Sequence, residues 1–144
     1  MKVSDEPIVV EQSFQNNIEE VSAITELEQM REWFFDNIEA FEPKIGFKTS
    51  FVVQSGERNF THFWEITEVM PLQKITYKWH YKEYPGDSFV KFELNKRKDP
   101  TLLRVSTEVI ADFPNDIPEF KRESAVQGWN YFITKQLKAY LEKL

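Results

Sequence analysis

Not one of the 144 residues is cysteine, which excludes disulfide staples, thiolate nucleophiles and zinc–thiolate sites. Glycine is nearly as scarce, at 4 residues, and none of them belongs to a Gly-rich phosphate loop. Histidine occurs twice, as His62 and His80. No run approaches the roughly 18 apolar residues of a membrane span, and the opening MKVSDEPIVV lacks the apolar stretch of a secretory signal. A cytoplasmic setting is the expectation. Positive charge is also in deficit, with 18 Lys and Arg against 24 Asp and Glu and a net charge of −6. A nucleic-acid role needs a concentrated basic surface and is not expected. The acids crowd forward: residues 1–44 hold 11 acids and 3 bases, residues 45–110 hold 8 and 10. Such a front third is a solvated face or a surface for a basic protein partner.

Aromatic residues are abundant instead, with 13 Phe, 5 Tyr and 4 Trp. They recur where a wall must be both apolar and rigid, and they equally suit a core built from large side chains. At this length the chain fits a single domain over residues 1–144, burying roughly 68 % of the surface its unfolded form exposes.

Alternation begins in PIVVEQSF, where Ile8, Val10, Gln12 and Phe14 share one face of a first strand. QNNIEEVSAI then changes to helical spacing through Ile18, Val21 and Ile24, with Asn16 or Asn17 as its N-cap. Thr25 and Glu28 suggest a capping box for a second short helix, which carries Leu27, Met30, Trp33 and Phe34 on one side. From residue 45 the period is two. Ile45, Phe47, Thr49, Phe51 and Val53 alternate, and Gly56 supplies a turn. Phe60, His62, Trp64 and Ile66 follow, extended by Glu68, until Met70–Pro71 breaks the run. Ile75, Tyr77, Trp79 and Tyr81 oppose Lys74, Thr76, Lys78 and His80. After the turn YPGD come Val90, Phe92 and Leu94, a charged loop at residues 96–100, and Leu103, Val105, Thr107 and Val109. Short turns between consecutive strands require antiparallel pairing.

The chain closes with a helix of about 25 residues, with Asp116 and Glu119 as caps and Pro118 in its first turn. Its stripe of Ala125, Trp129, Ile133, Leu137, Tyr140 and Leu141 must meet the apolar face of the sheet. The expectation is an α+β fold: a strand, two short helices, about five antiparallel strands and a long helix. A curved sheet around that helix leaves a wedge that is either filled core or an apolar cavity. The inward polar residues Gln12, Thr49, His62, Glu68 and Thr107 then need partners, water or a ligand.

IEEVSAITELEQMREWF, FWEITEVMPLQKITYKW and ESAVQGWNYFITKQLKAYLEKL together resemble the domains similar to the activator of the heat-shock protein 90 ATPase, in the START-like (SRPBCC) superfamily. The matches include Val21, Thr25, Trp33, Ile66, Pro71, Trp79, Gly128 and Trp129. Ser22 stands where the family often has Trp. The resemblance implies a helix-grip fold with a curved antiparallel sheet around the C-terminal helix. It implies ligands such as lipids, hormones or polyketides, and in a minority of members cyclase or dehydratase activity. No catalytic residue carries over. The sequence holds one domain, without the extra N-terminal domain of full eukaryotic activators, so direct chaperone activation is not expected.

The first functional reading is a binding protein for a small apolar or amphipathic ligand. Its wall candidates are Trp33, Phe47, Phe51, His62, Trp64, Tyr77, Trp79, Phe92, Thr107, Trp129 and Ile133. The alternative is a protein-interaction or chaperone co-factor domain that uses the acidic front third. A third reading is a cyclase- or hydrolase-type enzyme with His62 as its acid–base group. His62 reads as inward and His80 as outward, so no metal site is expected, and no cofactor is called for. An edge strand offers backbone for pairing with a second copy, and the sequence decides neither for nor against an oligomer.

Overall fold

Period-two alternation builds six strands in the computed structural model, which describes residues 1–96 and 100–144. They are β1 (Ile8–Phe14), β2 (Lys48–Ser55), β3 (Arg58–Met70), β4 (Lys74–Tyr81), β5 (Asp87–Lys96) and β6 (Thr101–Ala111). The charged loop expected at residues 96–100 lies largely outside the described residues. Every pairing is antiparallel, in the order β1-β6-β5-β4-β3-β2. The four consecutive hairpins stay in sequence order. β1 alone crosses over to the far edge, where Ile8 faces Thr107 and Phe14 faces Thr101. Two short helices, α1 (Ile18–Val21) and α2 (Leu27–Trp33), fill that crossing and are joined by a 3-10 turn at Ser22–Thr25.

Capping follows local chemistry. Asn17 Oδ1 accepts from the Glu20 amide at 2.8 Å, while Glu20 Oε1 accepts from the Asn17 amide at 3.3 Å, a reciprocal box at the start of α1. Asn16 turns away and donates to the Leu141 carbonyl at 3.0 Å. For α2 the expected Thr25–Glu28 box is replaced by Glu26. Its carboxylate accepts from the Glu28 and Gln29 amides, because the 3-10 turn moves the helix start one residue on.

Two strand readings also change. The alternation ahead of β2 starts at Lys48 rather than Ile45. Gly46 takes φ +88°, a conformation that turns the chain, and leaves Ile45 exposed. In β3 the register slips between Ile66 and Glu68, so an extra residue shifts the period by one. Glu68 therefore pairs with Thr76 Oγ1 (3.1 Å) and Lys74 Nζ (3.2 Å), neighbours on the outer face, instead of pointing inward.

The C-terminal helix spans residues 122–142 as α3 (Arg122–Trp129), a π-helical stretch (Asn130–Leu137) and α4 (Lys138–Glu142). The helix has no side-chain cap at Lys121, and the expected cap Glu119 acts elsewhere. Pro118–Phe120 forms a separate 3-10 turn, and Glu119 binds Arg58 and Ser55. The buried stripe is Trp129, Ile133, Leu137 and Leu141, a strict spacing of four. At 3.6 residues per turn such a row drifts around the helix; the wider π stretch keeps it aimed at the sheet. Thr134 Oγ1, donating to the Asn130 carbonyl within this stretch, is the kind of side-chain bond that loosens a helical ladder. Trp129, Ile133, Leu137 and Leu141 join the inward residues of all six strands, Trp33 and Phe34 in one core. Phe60, Phe113 and Phe120 form a second cluster at one end. This is the helix-grip arrangement expected from the sequence. Among the described residues no helix is long and apolar enough to cross a membrane.

Candidate functional site

The middle of the wedge between helix and sheet is filled. Phe34, at the end of α2, stacks on Trp33 (ring centroids 4.6 Å apart) and Trp64 (5.6 Å) and meets Phe132 edge-on at 4.9 Å. Trp33, Trp64, Tyr77 and Ile133 are buried completely in this packing. Among the described residues, neither the Trp64 Nε1–H nor the Tyr77 hydroxyl has a hydrogen-bond partner. Burial pushes the Tyr77 hydroxyl well above its ordinary range, so it stays protonated.

Beyond that plug, toward the β4–β5 turn, a pocket of about 160 Å³ remains. The sheet supplies His62, Trp79, Tyr81, Ser88, Val90 and Thr107; the helix supplies Ala125, Gly128, Trp129 and Phe132. Phe35, Phe113, Glu119, Phe120 and Met1 complete the wall. Period-two spacing aims the strand residues inward, and the i, i+3, i+4 and i+7 spacing of 125, 128, 129 and 132 places the helix residues on one face.

Both indole N–H groups on this wall are satisfied by polar neighbours. Trp79 Nε1–H donates to His62 Nδ1 at 3.0 Å, and Trp129 Nε1–H donates to Thr107 Oγ1 at 3.1 Å. Ser88 Oγ donates to the Trp79 carbonyl at 2.9 Å. His62 is 7 % exposed, and burial lowers its pKa to about 3. The imidazole is therefore neutral, and because Nδ1 accepts, its proton sits on Nε2. Phe51 stacks on the ring at 4.8 Å and holds its orientation. At the rim, the Glu119 carboxylate takes Arg58 Nε at 2.8 Å, Arg58 Nη2 at 3.1 Å and Ser55 Oγ at 2.9 Å. This network ties the approach to the C-terminal helix to the β2–β3 hairpin, and the Arg58 guanidinium holds the Glu119 carboxyl below its ordinary range.

Of the eleven wall candidates, the structure brings His62, Trp79, Thr107 and Trp129 together around this pocket. Trp33, Trp64, Tyr77 and Ile133 sit in the core, and Phe51 backs His62. Phe47 packs near Phe41 (6.4 Å). Phe92 lines a different, apolar pocket of about 290 Å³ at the opposite end, with Ile24, Val69, Leu72, Ile75 and Leu94. Sequence reasoning passed over Phe35, Phe113 and Phe120, while Phe132 stands at helical spacing with Trp129 and Ile133 on the inward face. The signal of the first three is weak but present: each is a large apolar residue off the periodic stripe or in a loop otherwise rich in charge and proline. His80 lies on the outer face against Phe63, apart from His62. Among the described residues no cluster of three or more His, Asp or Glu side chains can hold a metal ion.

Solved structures share this architecture. A Mesorhizobium loti protein aligns with a TM-score of 0.74 at 23 % identity, covering 96 % of this chain and 98 % of its own. A Chromobacterium violaceum protein gives 0.76 at 19 %, covering 94 % and 96 %. DynU16, from the dynemicin biosynthetic locus, gives 0.74 at 22 %; the alignment covers 96 % of this chain, which spans about half (48 %) of DynU16. These likenesses concern the fold alone. No curated protein matches the sequence. The family model described as "Activator of Hsp90 ATPase homolog 1-like protein" matches residues 18–142, a stretch that runs from α1 to the end of the C-terminal helix. The chain belongs to that family.

Proposed function

We propose that this protein binds a small molecule in the pocket between its sheet and its C-terminal helix. One observation carries the reading: where the aromatic plug ends, about 160 Å³ is left unfilled beside a buried, neutral histidine. The pocket is partly open to solvent, so a small molecule can reach its wall. An apolar wall with a few convergent polar groups is the usual form of a ligand site. The absence of cysteine fits a cytoplasmic setting for this role. The enzymatic reading has less support, because His62 has no carboxylate bonded to it among the described residues and is poised to stay neutral.

The test is a two-dimensional amide spectrum recorded with and without a panel of apolar and amphipathic compounds. Saturable shifts at Trp79, Trp129, Thr107 and Val90 support the reading. Shifts confined to exposed residues of α1 and α2 would favour the alternative, a partner surface on the acidic front third, where Glu19, Glu26, Glu28 and Glu32 are exposed.

A further inference from the structure

One irregular segment borders the pocket, and the way it is fastened bears on how the pocket is reached; this step rests on the binding reading above. Residues 112–121 join β6 to the C-terminal helix and hold no regular element except the 3-10 turn at Pro118–Phe120. Phe113, Glu119 and Phe120 of this segment form part of the pocket wall. The Glu119 side chain is 27 % exposed, which places it at the rim.

The apolar anchors of the segment lie outside the main core. Phe120 packs on Phe113 at 5.2 Å and on Phe60 at 5.4 Å, in the separate end cluster. Two backbone bonds run to Met1: the Phe113 amide donates to its carbonyl at 3.0 Å, and the Phe120 carbonyl accepts from its nitrogen at 2.9 Å. The Asp112 carboxylate accepts from the Val3 amide at 2.7 Å. A segment packed on a satellite cluster can open locally, at a free energy below that of global unfolding.

A charged link then crosses from the segment to the sheet. Arg58 opens β3 and Ser55 closes β2. Arg58 grips the Glu119 carboxylate through Nε at 2.8 Å and Nη2 at 3.1 Å, and Ser55 Oγ adds a bond at 2.9 Å. The fork makes the pair geometrically specific, while its exposure to solvent keeps it modest in energy. A latch needs both properties: it must hold one closed geometry and still break often.

We infer that residues 112–121 are the lid of the pocket and that the Arg58–Glu119 pair is its latch, so that a small molecule enters when the latch breaks while the sheet and the C-terminal helix stay folded.

The experiment needs no bound ligand. Indole hydrogen exchange is followed in the 15N-labelled chain, comparing Trp79 and Trp129 on the pocket wall with Trp33 and Trp64 buried in the core. Arg58→Gln removes the charge and the fork. It should speed exchange at Trp79 and Trp129 about three- to tenfold and leave Trp33, Trp64 and the β4 amides unchanged. Glu119→Gln should do the same. The uncharged paramagnetic probe 4-hydroxy-TEMPO should broaden the Trp79 and Trp129 cross-peaks more in both variants than in the parent. Equal acceleration of all four indoles would show that the pair supports the whole fold, and it overturns the lid. Unchanged exchange at Trp79 and Trp129 overturns the latch. Faster exchange without added broadening overturns the entry route. Each of these failures leaves the binding reading standing, since that reading is decided by the compound panel above.

Discussion

Trp79 donates its indole proton to His62 Nδ1 at 3.0 Å across the β3–β4 pair, where the two residues stand diagonally, His62 facing Tyr81 and Trp79 facing Trp64. The bond fixes the imidazole tautomer, and burial of the ring makes stability depend on pH. The His62 pKa is about 3 in the folded chain and about 6.5 unfolded. The unfolded state therefore takes up a proton that the folded state refuses, and stability present above pH 6.5 is lost as the pH falls toward 3. The limiting slope is about 1.4 kcal/mol per pH unit, so the drop from pH 6.5 to 4.5 amounts to roughly 2–3 kcal/mol, before most carboxylates titrate. His62→Gln keeps an acceptor for Trp79 but cannot titrate. Urea unfolding at pH 7.0, 5.5 and 4.5 should show the loss in the parent chain and a markedly flatter profile in the variant; equal slopes would refute the assignment.

The fold was legible because its signals are redundant. Four hairpins, a period change at residue 45 and a helical stripe all point to one architecture, and an error of three residues at Ile45 or of one in a cap does not move it. The pocket was legible only in part. His62, Trp79, Thr107 and Trp129 could be placed because a strand or helix period decides which way they face. Trp33, Trp64 and Tyr77 face inward by the same rule, yet they are core, since alternation specifies a face and says nothing of position along the wedge. Phe113 and Phe120 reach the wall from a non-periodic loop, and Glu68 was misjudged because a bulge leaves no trace in the spacing.

Two glycines should respond in opposite directions to the same substitution. Gly86 takes φ +118°, and a Cβ there would fall against the Phe113 ring. Gly86→Ala combines backbone strain with a clash and should cost roughly 2–5 kcal/mol. Gly128 lies in α3 with open space around it, and Gly128→Ala should gain about 0.5–1 kcal/mol from helix propensity. Denaturant midpoints of both variants check the pair, and a Gly86→Ala chain as stable as the parent would contradict the packing of the 113 loop.

Leu72 stores strain in the β3–β4 turn. It is the one non-glycine described with positive φ, at +61°, and it is 44 % exposed, so little burial compensates. A left-handed backbone costs an L-residue about 1–2 kcal/mol, and Asn tolerates it better. Leu72→Asn should raise stability by about 0.5–1 kcal/mol, measured as a higher urea midpoint with an unchanged m-value. A decrease would mean that the Leu72 side chain contributes more to the neighbouring apolar pocket than its turn costs.

Phe34 closes one end of the pocket between sheet and helix. Its ring lies 4.9 Å from Phe132 and 4.7 Å from Phe35, both on the pocket wall, with Trp33 and Trp64 on its other side. Removing it should cost about 3–5 kcal/mol, the usual range for a buried Phe→Ala change, and should join the vacated space to the existing pocket. The same substitution should therefore lower stability and admit larger molecules. Unfolding measurements check the first effect. Indole shifts at Trp79 and Trp129 on adding a two-ring ketone check the second: Phe34→Ala should show larger saturable shifts than the parent. A variant that loses stability without gaining the larger ligand would show that the plug collapses into the void, leaving the wall at Phe35 and Phe132 to define the pocket.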